Sequence, residues 1–97
     1  MSLNELIHKE MRLRIMTTLM AVDEADFTYL QKQTNSTSGN LSSHLDKLAS
    51  AHYVSITKDY FNHKPRTTVR LTDTGREALT AYLTELQEIL GEIRMAE

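Results

Sequence analysis

The chain has 97 residues, 40% hydrophobic and 25% charged, a balance that suits one small globular domain and excludes a disordered tail. There is no cysteine, so disulfides and thiolate metal sites are excluded. The net charge of −2 is unevenly spread: residues 1–26 carry −2, residues 27–72 carry +4 and residues 73–97 carry −4.

No apolar run approaches bilayer length, and residues 1–5 lack the basic-then-apolar pattern of a signal peptide. The expectation is a single domain over residues 1–97, cytoplasmic and without a membrane partner. The acidic total argues against generic nucleic-acid binding, whereas the basic middle is what a segment facing phosphate would show.

Asn4 can cap a first helix running to about Met20. Leu3, Ile7, Met11, Ile15 and Leu19 recur every four residues, and Leu6 and Met16 widen the stripe. Glu5, Lys9, Glu10, Arg12 and Arg14 are assigned to its outer face. Residues 22–26 read as a short polar link. Asp26 can cap a second helix over residues 27–33, with Phe27 and Leu30 as its buried pair. Thr34, Asn35 and Ser36 form a turn by composition.

The third predicted helix spans residues 37–51, with Thr37 or Ser38 as its cap. Leu41, Leu45 and Leu48 fall at i, i+4 and i+7 and face the core. Ser38, Asn40, Ser42, Ser43, His44 and Lys47 lie on the other sides. Solvated helix faces usually carry Glu, Lys and Gln, which favour the helix, while Ser and Asn cost propensity. Short hydrogen-bonding side chains at that cost suggest a helix that enters a DNA groove.

After His52 the pattern alternates. Val54 and Ile56 share one face of a first strand, Val69 and Leu71 one face of a second. Residues 59–67 between them read as the tip of a hairpin, bracketed by Asn62 and Pro65, with Lys64 and Arg66 near its end and Tyr60 and Phe61 packed under it. A last helix starts after Thr72 or Asp73, or after Thr74 with Glu77 closing a capping box, and runs to about Met95. Leu79, Tyr82, Leu86, Ile89 and Ile93 alternate at three and four residues, flanked by Leu83 and Leu90. That stripe is long for one small domain to bury and fits a seam with another helix.

The order of elements is that of a winged helix-turn-helix: α-α-α-β-β-α, mainly α with a small β-hairpin (α+β). The segment GNLSSHLDKL at residues 39–48, followed by RTTVRLTDTGREAL at residues 66–79, resembles small winged-helix transcriptional regulators, stand-alone relatives of the MarR and ArsR groups. Many of these have glycine between the third helix and the first strand, where this chain has His52. The resemblance implies a homodimer with residues 73–97 as a dimerisation helix, the third helix in the major groove of double-stranded DNA, and the hairpin as a wing beside the backbone.

Asn40, Ser42, Ser43 and His44 are the candidates for base edges, since Asn can pair with adenine and Ser with either partner. Ser38 and Lys47 suit phosphate, as do Lys64, Arg66 and Thr67 in the wing and, more weakly, Tyr29 and Lys32. Each has a plainer reading. Ser38 can be only a cap, His44 a half-buried histidine, Lys64 and Arg66 a solvated hairpin end. The expected dimer interface is Leu79, Tyr82, Leu83, Leu86, Ile89, Leu90 and Ile93. His8, His44, His52 and His63 show no ligand spacing, so no metal and no cofactor are expected. No phosphate loop or nucleophile motif suggests an enzyme. Occupying a promoter would exclude polymerase, which makes repression the expected sign. A small-molecule effector is left open, at the dimer interface or beside the first and last helices. The alternative is an adaptor that uses the fold to bind protein and not DNA.

Overall fold

Four helices and a three-stranded antiparallel sheet make up the computed structural model, which describes residues 3–95. Residues 1, 2, 96 and 97 of the expected domain lie outside the described residues. The elements in order are α1 (Glu10–Val22), β1 (Glu24–Asp26), α2 (Phe27–Thr34), α3 (Ser38–Ser50), β2 (Val54–Phe61), β3 (Lys64–Leu71) and α4 (Asp73–Met95).

The expected first helix is in two pieces. Asn4 does cap, but it caps a single turn: its Oδ1 accepts from the N–H of Leu6 and Ile7 at 3.0 and 3.1 Å. The chain then extends at Lys9 and turns helical only at Glu10. Tertiary contacts hold the turn that precedes the break. Asn4 Nδ2 donates to the Tyr53 hydroxyl at 2.9 Å, His8 Nδ1 lies 2.7 Å from the Tyr82 hydroxyl, and Ile7 is fully buried. All three sit in the N-terminal turn, ahead of the extended residue Lys9.

The expected polar link is strand β1. It pairs with β3, Glu24 opposite Arg70 and Asp26 opposite Thr68, so the sheet order is β1-β3-β2. Ala25 points into the core. Asp26 also caps α2, its Oδ1 accepting from Tyr29 N at 2.7 Å. Asn35, in the left-handed region at φ 49°, ends α2. Thr37 then caps α3, its Oγ1 accepting from Asn40 N at 3.1 Å. Ser38 is therefore the first residue inside the helix.

Leu41, Leu45 and Leu48 of α3 join Ile15, Met16 and Leu19 of α1 and Leu30 of α2 in one core, closed by Val54, Val69 and Leu71 of the sheet. At the end of α3, His52 adopts φ 64°. Its N–H bonds to Ala49 O, and Tyr53 N bonds to Leu48 O. That pair of bonds is the Schellman arrangement, with histidine where glycine is the usual occupant.

The hairpin is longer and tighter than the sequence suggests. Only Asn62 and His63, at φ 52° and 64°, form the turn, and Phe61 pairs with Lys64. Two successive positive φ values are the signature of a two-residue hairpin loop whose twist matches its strands. Pro65 is not a bracket of the turn; it sits in β3 opposite Tyr60. With Phe61 and Lys64 as the hydrogen-bonded pair, Pro65 is at a non-bonded position, so its missing N–H faces the side where β1 has ended.

Thr72 closes the fold. Its hydroxyl lies 2.6 Å from His52 O and 2.9 Å from Gly75 N, which it caps. Gly75 lies so near β2 that a β-carbon there would fall 2.0 Å from Tyr53 O. From this junction α4 runs 23 residues, about 34 Å at the helical rise. Leu79 and Tyr82 are in the core, and Leu83 and Leu86 pack against its edge. Beyond them α4 projects, and Ile89, Leu90 and Ile93 are exposed. The molecule measures 58 × 25 × 21 Å as a result.

Candidate nucleic-acid interface

Helix α3 buries its leucines at i, i+4 and i+7 and so turns Ser38, Asn40, Ser42, Ser43 and Lys47 to solvent, where all five are exposed. Because Thr37 takes the capping bond, the Ser38 hydroxyl is free for another partner. Asn40, His44 and Lys47 share a stripe at i, i+4 and i+7. His44 is the exception to exposure: it is half-buried, and its Nδ1 lies 3.2 Å from Nη1 of Arg12 on α1. Burial, then the charges of Arg12, Lys47 and Lys9, hold its pKa below the ordinary histidine value.

The hairpin stands beside α3. Ser42, Leu45 and Asp46 of α3 and Ile56, Lys58 and Thr67 of the hairpin line one cleft of about 250 Å³, floored by Phe27. Lys64 is exposed and Thr67 half-buried. Arg66 is not free. Its Nε and Nη2 donate to the two oxygens of Asp59 at 3.1 and 3.0 Å, and its guanidinium lies 4.9 Å from the Phe61 ring centre. The bonded guanidinium holds the Asp59 carboxyl below its usual range, and the carboxylate raises Arg66 in turn. Asp59 and Arg66 are register partners, so this clamp ties the two wing strands near their end.

Several residues differ from the expectation. Tyr60 and Phe61 do not pack under the hairpin; they are 76% and 57% exposed. His63 forms the turn itself. Arg12, assigned to the outer face of the first helix, is 5% exposed. The signal for Arg12 was present: Arg12, Ile15, Met16 and Leu19 form their own i, i+3, i+4, i+7 set, and all four are buried. Of the residues expected at a helical seam, Leu79 and Tyr82 lie in the chain's own core, whereas Ile89, Leu90 and Ile93 are exposed. No cluster of three His, Cys, Asp or Glu side chains able to hold a metal occurs among the described residues. No described helix is long and apolar enough to cross a membrane.

Residues 11–90 match a family model described as a winged helix DNA-binding domain. The chain is 31% identical to the transcriptional regulator homologue protein from Pyrococcus horikoshii OT3, whose structure superposes with a TM-score of 0.87 over 93% of this chain and 89% of that one. It is 28% identical over 89 residues to an uncharacterized protein of Methanocaldococcus jannaschii, covering 92% of this chain and 97% of that protein. A MarR family transcriptional regulator from Silicibacter pomeroyi has the same fold, with a TM-score of 0.67 at 21% identity over 82% of this chain and 53% of the other.

Proposed function

From the fact that this chain belongs to the winged helix DNA-binding domain family, we propose that it is a sequence-specific transcriptional regulator that binds double-stranded DNA as a homodimer and represses. The observation that carries the reading is the exposed face of α3, dense in short polar side chains, with the hairpin across one cleft from it. A major groove admits a helix, and Ser and Asn let that helix come close to the bases. In this reading Asn40, Ser42, Ser43 and His44 meet base edges, while Ser38, Lys47, Lys64 and Thr67 hold phosphate. Arg66 joins them only by leaving Asp59.

The projecting half of α4, with Ile89, Leu90 and Ile93 exposed, is the surface proposed for the second copy. Two copies of α3 related by a two-fold axis would read half-sites about one helical turn apart. The experiment is selection of preferred sites from a random DNA pool, repeated with Asn40→Ala. A pseudo-palindrome with that spacing, and a changed preference for the variant, is the expected result. Recovery of no common sequence would contradict it. The adaptor reading draws on the net charge of −2 and on the clamped Arg66; it predicts that the pool yields no retained DNA at all.

A further inference from the structure

We propose that Arg12 is a positioning residue for α3: its buried guanidinium holds the His44 ring as a neutral imidazole with its proton on Nε2, so that His44 meets DNA as a hydrogen-bond donor. This rests on the DNA-binding reading above. It adds a role for a residue on a helix that would not itself enter the groove.

The geometry fixes the tautomer. Arg12 Nη1 and His44 Nδ1 are 3.2 Å apart. A guanidinium has only donors and keeps its proton in proteins, so the bond runs from Arg12 to His44 and Nδ1 must be the acceptor. An accepting Nδ1 places the single ring proton on Nε2, and a doubly protonated ring cannot make the bond. Among the described residues Nε2 has no partner, and His44 lies on the stripe of Asn40 and Lys47. What is left to it is an acceptor on DNA: a purine N7, guanine O6, thymine O4 or a phosphate oxygen.

Arg12 is held for this task. Its Nε donates to Leu6 O at 2.5 Å, which ties it to the N-terminal turn. Among the described residues no carboxylate is within ion-pair distance of it. A buried cation without a counter-ion is costly, and an apolar side chain would fit the same stripe at less cost. The charged groups acting on His44 are Arg12 of α1, Lys9 just before it and Lys47 of α3, all positive, so each disfavours the imidazolium.

The test uses the full chain, first alone and then with DNA. Nitrogen-15 spectra of the His44 ring, assigned with His44→Gln, should show protonated Nε2 and unprotonated Nδ1 at pH 7. In Arg12→Met the ring should titrate at higher pH and lose the single tautomer. A protonated Nδ1 in the native chain, or an unchanged titration in the variant, would overturn the proposal, and the native spectrum decides even where the variant does not fold. With DNA, acidification from pH 7.5 to 6.0 should change native affinity less than that of the variant. Arg12→Met should gain about fivefold on acidification, as a neutral hydrogen bond becomes a charge-assisted one. A gain on both selected and random duplex points to phosphate as the acceptor, and a gain on the selected site alone to a base. Equal pH profiles for variant and native chain would overturn the role in positioning. Failure of the native chain to bind any duplex would sink the DNA-binding reading and leave the ring spectra to decide the tautomer.

Discussion

His52 sits at φ 64°, where a β-carbon crowds the backbone. The Schellman bonds of α3 require that conformation whichever residue is there, so the sequence fills a glycine position with a strained side chain. His52→Gly should raise stability by about 0.5–1 kcal/mol, read from the urea midpoint. No change would mean that the histidine ring makes a compensating contact. A second residue-scale effect is the Asp59 clamp on Arg66. The carboxylate occupies the same fork of donors that a phosphate would take. Asp59→Asn should therefore bind random duplex more tightly, with a salt slope steeper by about one counterion. Arg66→Ala should flatten the slope instead. An unchanged slope in both variants would mean that Arg66 does not touch phosphate.

Elements made from local pattern were legible: Asp26 as a cap, the leucine stripe of α3 and the alternation of Val54, Ile56, Val69 and Leu71 all appear where the spacing puts them. Elements made by tertiary contact were not. Glu24, Ala25 and Asp26 have no strand propensity, and they pair only because β3 offers an edge. The turn before α1 is held by Tyr53 and Tyr82, which are distant in sequence. The clamp of Asp59 and Arg66 was hidden because both were assigned to a loop, and only a turn at Asn62 and His63 makes them opposite. The first turn of α4 packs directly on the Tyr53 carbonyl, and Thr72 bonds to both sides of that junction. Gly75→Ala should cost about 2–3 kcal/mol in thermal or urea unfolding, since backbone on backbone cannot give way. An unchanged midpoint would show that the junction yields.

At the scale of the molecule, charge and shape divide the chain the same way. The basic segment, residues 27–72, runs from α2 through α3 to the hairpin, and the acidic end is α4. The core uses only the near half of α4. In the far half Ile89, Leu90 and Ile93 are exposed. Ile89→Glu combined with Ile93→Glu should shift the sedimentation equilibrium toward monomer while leaving the fold intact by circular dichroism. An unchanged mass would remove α4 as the dimer surface. Whether α3 and the wing face DNA is decided by fluorescence anisotropy. A labelled selected duplex and a random one are titrated with the chain at low and moderate salt. Salt-sensitive binding to both is expected, tighter for the selected duplex, with Asn40→Ala reducing that difference. Absence of salt-sensitive binding at micromolar protein would contradict it.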